Sequence, residues 1–263
     1  VTPNRLRWGA VAWLLTLQFF VLEALAQARY EAPYSRADDV ISALGAADSA
    51  GRQLMNASFV VQAALILAGA LLLRPVLLRG AGQVAPVLLG AAAVGVLVVG
   101  AFPTDGNGAM HAVGAVLYLV GGGLGLIALA YAVRPRSEVL GTTLALLGLV
   151  ATAATAFFLT GVTQYLGEGG TERVAAYPLP IGLALAGAAL WRMGLPAGAA
   201  GSTTADRPDR KAERERARAE KAARDQERDA ALEAAARRTA GARPADDDEI
   251  DDPWAGPGRR DPG

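Results

Sequence analysis

Residues 85–136 read APVLLGAAAVGVLVVGAFPTDGNGAMHAVGAVLYLVGGGLGLIALAYAVRPR, two long apolar runs joined by a short polar turn and closed by a pair of arginines. Between Ala85 and Val133 the only formally charged side chain is Asp105, in the turn. A hydrocarbon core about 30 Å thick takes roughly 20 apolar residues in a helix. Each run can therefore cross a bilayer, and the pair reads as a helical hairpin. The same reading extends outward: apolar runs at 8–28, 53–73, 82–102, 110–132, 139–160 and 174–195 predict six spanning helices, an all-α polytopic transmembrane bundle.

Composition agrees. Of 263 residues, 52% are hydrophobic and few are aromatic, as suits helices packed through small side chains. The formal net charge of zero averages two unlike parts. Residues 1–196 form the six-helix transmembrane domain, and residues 197–263 a charged, low-complexity tail. With no cysteine, disulfides, thiolate metal sites and iron–sulfur clusters are excluded, and the single histidine, His111, excludes sites needing two imidazoles from one chain. No cofactor or metal is expected.

Arginines orient the spans. Cytoplasmic loops are enriched in Lys and Arg. Arg5 and Arg7 precede the first run, Arg74 and Arg79 follow the second, Arg134 and Arg136 follow the fourth, and Arg192 ends the sixth. The intervening loops are acidic or mixed, so they face outward and both termini are cytoplasmic, with the cell membrane as the expected location. An alternative takes residues 1–26 as a cleaved signal peptide ending in the Ala24-Leu25-Ala26 pattern, leaving five spans in the same orientation.

Within the fourth run Gly121 and Gly125 form a G-x-x-x-G face suited to close helix packing inside one bundle. Pro86, Pro178 and Pro180 are read as lying near helix starts, where a missing N–H costs little. After a linker, RKAERERARAEKAARDQERDAALEAAARR carries i, i+4 charge pairs and Leu232 as its only sizeable apolar side chain besides alanine. It reads as a solvated single helix or a disordered charged tail, open to contact with anionic lipid or a protein but not with nucleic acid. Trp254, in the terminal acidic segment, is the one anchor for a protein partner there.

Ionisable residues beside membrane spans are the default place to look for function. The centre of the bilayer is nearly empty of them: Gln18 and Gln62 are the deepest polar side chains, which counts against a proton-coupled transporter. The rest gather at the outer ends: Glu23, Asp38, Asp39, Arg52, Asp105, His111, Glu172 and Arg173. Ser35 with Asp38 resembles a capping box, and Val40, Ile41 and Leu44 would then share one face of a short amphipathic helix on the outer surface. Its Asp38, Asp39 and Ser42 would lie near Arg52 and Asn56. His111 follows Asp105 across two glycines, so a carboxylate-oriented histidine is expected. Glu172 and Arg173 read either as a pair at a helix start or as part of a site.

YSRADDVISALG at 34–45, RQLMNASF at 52–59, FPTDGNGAMHAVGA at 102–115 and TERVAAYPL at 171–179 together resemble a bacterial membrane family called domain of unknown function 998. The resemblance covers all six runs and leaves out the tail. It implies a six-helix integral membrane fold and transfers no activity. Its motif positions are Tyr34, Ser35, Asp39, Ser42, Gly45, Asn56, Asp105, His111, Glu172 and Arg173; members commonly carry Asn where this chain has Asp39.

Three functions are expected. The first is a non-enzymatic membrane protein whose outer polar cluster organises the bundle or binds a small polar or lipid-headgroup ligand, through Tyr34, Asp39, Arg52, Asn56, Asp105, His111, Glu172 and Arg173. Arg52 and Arg173 are its natural contacts for an anionic headgroup. The second is an outer-leaflet hydrolase of lipid or cell-envelope substrates, with His111 as general base, Asp105 orienting it, and Ser35 or Ser42 as nucleophile. The third is a small-molecule transporter. Membrane lipids are the expected partners; oligomeric state stays open.

Overall fold

A computed structural model of the chain describes residues 2–77, 80–195 and 207–241, with side chains in the last segment described at 215 and 218–238. It divides into two units, Val1–Gly201 and Ser202–Gly263.

The first unit contains six helices long and apolar enough to cross a membrane. Span one is α1 (Pro3–Leu15) followed by α2 (Gln18–Gln27). Spans two to five are α3 (Arg52–Leu73), α4 (Ala81–Ala101), α5 (Gly108–Val133) and α6 (Glu138–Leu159). Span six is α7 (Glu168–Ala176) followed by α8 (Pro178–Met193). Each span packs on its neighbours in sequence, and span one packs on span six, which closes a ring. Trp13, Phe19, Met55, Ile66, Leu89, Leu126, Leu144 and Leu183 are sealed inside it, while Val87, Val139, Leu149 and Tyr131 are exposed on the outside.

Small residues set the helix spacing. A Cβ on Gly114 would lie 2.8 Å from the Gly95 carbonyl oxygen, and one on Gly121 would lie 2.9 Å from the Leu88 oxygen and the Ala92 nitrogen. The glycine face of α5 is thus spent on α4 within the bundle. Arginines close helix ends at one side of the ring. Arg5 donates to the Leu71 and Leu72 carbonyls at the end of α3, at 2.9 and 3.1 Å, and Arg136 donates to Gly194 just beyond α8. Burial pulls Arg136 below the ordinary guanidinium value.

One of the three prolines lies deeper in its helix than expected. Pro86 sits inside α4, because that helix already begins at Ala81. Pro178 and Pro180 lie in the first turn of α8, as expected, where it resumes span six after the interruption at Tyr177. Pro180 lacks the N–H that would bond the Ala176 carbonyl, and the Tyr118 hydroxyl on α5 donates to that oxygen at 3.4 Å instead. Span one is interrupted too, by tight i, i+3 bonds around Thr16 and Leu17. The Thr16 hydroxyl lies 2.6 Å from the Trp13 carbonyl and 3.1 Å from that of Pro180, so the two interruptions touch.

The expected amphipathic surface helix is also replaced. Residues 36–39 form a tight turn and Ile41–Gly45 a 3-10 helix with Ile41 and Leu44 buried against the ring. Ser35 and Asp39 close the turn at 2.7 Å, and side chains of α7 hold the segment down, so it packs on protein instead of lying on a membrane surface.

In the second unit, α9 (Arg207–Gly241) is one long helix with the pairs Glu220–Arg224 and Glu233–Arg237 at 3.9 and 3.5 Å. Leu232 is exposed. The linker expected at 197–206 and the anchor expected at Trp254 lie outside the described residues.

Candidate functional site

The ends of the helices away from the arginine-capped side carry a polar cluster. At its centre Arg173 of α7 and Glu23 of α2, both buried, meet at 3.1 Å through Nε and Oε1. Burying an ion pair costs several kcal/mol of desolvation per charge unless the remaining hydrogen-bonding capacity is filled, and here it is. Arg173 Nη1 donates to the carbonyls of Arg36, Asp39 and Gly169 at 2.8 to 3.0 Å, and Nη2 donates to the Tyr34 hydroxyl at 2.5 Å. The Tyr177 hydroxyl donates to Glu23 at 2.7 Å and accepts from Arg36 at 2.5 Å. Arg36, half exposed, is a second cation 3.6 Å from Glu23. Burial holds the Tyr34 phenol above its ordinary value, against the pull of Arg173, so it stays a neutral hydroxyl.

Glycines let the loop reach α7. A side chain on Gly169 would collide with the Asp39 carbonyl, and one on Gly167 with that of Ala37. Gly167 has φ of 75°, a conformation that costs glycine little. Gly170 N–H then donates to the Ala37 carbonyl at 2.8 Å. The run GEGGTER thus brings the backbone of 36–40 onto the first turn of α7, within reach of Arg173.

Beside this cluster a cleft opens into the ring, with a recess of about 30 Å³, room for at least one water-sized group. Five of the six spans contribute to its walls. Phe19, Phe59, Val96, Val99 and Leu119 make it apolar, and Ser42, His111, Tyr118 and Glu172 bring polar atoms. Glu172 accepts the Ile41 N–H through Oε2. Its Oε1 accepts no hydrogen bond, and no cation lies within 4 Å of it among the described residues. His111 Nδ1 is 2.8 Å from the Phe102 carbonyl, which can only accept. The ring hydrogen therefore sits on Nδ1, the tautomer in which Nε2 is the acceptor.

The expected site residues divide accordingly. Tyr34, Asp39 and Arg173 belong to the ionic cluster, while Ser42, His111 and Glu172 share the cleft. Glu172 and Arg173 are not paired: they point to different partners, because α7 sets consecutive residues about 100° apart. Arg173 is spent on protein groups and Arg52 is exposed, so they do not form a shared anion site. Asp105 does not orient His111. It accepts the Ala47 N–H at 2.8 Å, and Phe102 takes the imidazole instead. Ser35 is bonded to Asp38 at 2.7 Å. Asn56 donates to the Gly45 carbonyl at 3.0 Å rather than to an acid of the first loop, and its Oδ1 is buried without a partner. Deeper in the ring, Gln18 donates to Gln62 at 3.1 Å.

Sequence reasoning does not single out Arg36, Tyr177 or Tyr118 as functional residues. It places Glu23 at the outer end without revealing its weight, although Glu23 is the single acid in the first apolar run. A charge inside such a run calls for a partner, which is the signal that leads to Arg173.

A closed ring of apolar spanning helices with polar side chains gathered at one end defines a multi-pass integral membrane protein. Residues 10–189 match the family model described as a protein of unknown function (DUF998), and the chain belongs to that family. No curated protein and no solved structure matches the chain.

Proposed function

We propose that this is a non-enzymatic protein of the cell membrane, with both termini cytoplasmic, whose outward end holds a small amphipathic ligand in the cleft beside Glu172. The ionic cluster is its frame, joining spans one and six to the first loop. The observation that carries the reading is the division of labour on α7. Arg173 has every nitrogen engaged by protein groups, while Glu172 Oε1, in the cleft, accepts nothing. Glu172, bonded through Oε2 alone, thus keeps an acceptor free on a lining residue of the cleft, which a ligand's donor can use. The orientation rests on Arg5, Arg134, Arg136 and Arg192 standing at the other end.

Native mass spectrometry of the protein released gently from its membrane tests the reading. The parent chain is expected to carry a small bound molecule that an Ala115→Trp variant, with the cleft filled, lacks. Equal bound mass in both would remove the cleft as the binding site.

A second reading, an outer-leaflet hydrolase, is supported by one arrangement. Ser42 lines the same cleft as His111, whose Nε2 lone pair is the form a general base needs. A fluorophosphonate probe separates the two: covalent labelling at Ser42, lost in Ser42→Ala, favours hydrolysis, and an unlabelled folded protein favours binding.

A further inference from the structure

We infer that the group held in the cleft is a primary ammonium on an apolar stem. The inference rests on the ligand-binding reading above and narrows it to one chemistry.

The accessible polar atoms are mostly acceptors. Glu172 offers Oε1, and His111 offers Nε2, because its Nδ1 hydrogen is committed to Phe102. The Tyr118 hydroxyl hydrogen is committed to the Ala176 carbonyl. Only Ser42 can act as either donor or acceptor. A phosphate or carboxylate would bring lone pairs against lone pairs and negative charge against a carboxylate. An ammonium has three donors and no acceptor, which fits this set.

Charge points the same way. Glu172 lies on a largely apolar wall with no cation within 4 Å among the described residues, since its neighbour Arg173 is turned toward Glu23. A carboxylate so placed is stabilised by a cation that arrives with the ligand. Phe19, Phe59 and Tyr118 on the walls are aromatic, and an aromatic face attracts an ammonium. The apolar stem has Val96, Val99 and Leu119 on the cleft walls to lie against.

The test uses the full chain in a neutral detergent at pH 7 with three probes of matched length: hexylammonium, hexanol and hexanoate. Thermal unfolding is followed through tryptophan fluorescence. Hexylammonium is expected to raise Tm saturably by several degrees while the other two do not. Glu172→Gln should weaken its apparent affinity at least tenfold, and Arg52→Ala, outside the cleft, should leave it unchanged. Should the Gln variant fold poorly, Ala115→Trp serves in its place and is expected to abolish the shift with Glu172 intact. If hexanol stabilises as well as hexylammonium and Ala115→Trp removes both effects, the cleft remains a binding site but the ammonium assignment is wrong. A hexylammonium shift that survives Ala115→Trp, or no shift with any probe, overturns the assignment as well. The bound-mass comparison judges the broader reading independently.

Discussion

Arg173 and Glu23 show how much one buried charge demands of its neighbours. Removing one partner of a buried pair leaves the other uncompensated, at a cost of about 3–5 kcal/mol. Glu23→Gln is therefore expected to lower Tm by roughly 10 °C in a thermal melt. Arg173→Lys should do nearly as much harm despite keeping the charge. An ammonium cannot bond Glu23, Tyr34 and three carbonyls in the directions the guanidinium fork does. An Arg173→Lys variant as stable as the parent would mean that only charge matters there. Tyr177→Phe should cost less, about 1–2 kcal/mol, since Arg173 still holds Glu23.

At the scale of elements, the interruption of span six has a compensating group on another helix. The Tyr118 hydroxyl supplies the donor that Pro180 withholds from Ala176. Tyr118→Phe is expected to destabilise by about 1 kcal/mol, and Pro180→Ala, which restores a backbone N–H, should suppress that loss. A double-mutant cycle measures the coupling; strictly additive effects would show that the two groups do not serve the same oxygen. Close packing between α4 and α5 makes a second demand. Gly114→Leu should cost about 2 kcal/mol or more, because the obstacle is the Gly95 backbone and not a side chain that can turn away. These features differ in how far the sequence shows them. Apolar runs announce spans because lipid demands them residue by residue. Span six reads as starting near 174 because Glu168, Glu172 and Arg173 are charged; in the fold the helical path begins at Glu168, with Glu172 held to Ile41 and Arg173 to Glu23. The break at Thr16 leaves no mark in its apolar run, since it accompanies a contact with Pro180, 164 residues away.

Across the whole molecule, the ring of six spans follows from hydropathy and its proposed orientation from arginine placement, while the pairing at the polar end does not follow from either. Tyr34, Asp39, Ser42, His111, Glu172 and Arg173 could be singled out as polar residues near span ends. Which of them meet depends on helix rotation and on contacts between positions 130 to 150 apart, such as Ile41 with Glu172 and Glu23 with Arg173. Orientation is directly testable because the chain has no cysteine. A single cysteine at Tyr165, an exposed loop position, should react with an impermeant maleimide on intact cells, and one at Pro135 only after lysis. The reverse pattern would invert the topology.

Glu23 emerges from the ribosome long before Arg173, by 150 residues. Until the last span is made, the acid in the first span lacks its buried partner Arg173 and has the half-exposed Arg36 of the next loop as its nearby cation. An acid without its buried partner in a span is costly, and it is expected to mark the unfinished chain for membrane quality control. Chains truncated before span six should be degraded quickly in a pulse–chase experiment, and Glu23→Leu should lengthen their lifetime while shortening that of the full-length protein. Equal lifetimes for the two truncated forms would show that the acid carries no such signal. With the expected lifetimes, the join between the first and last spans serves both as the frame of the proposed cleft and as the sign that synthesis is complete.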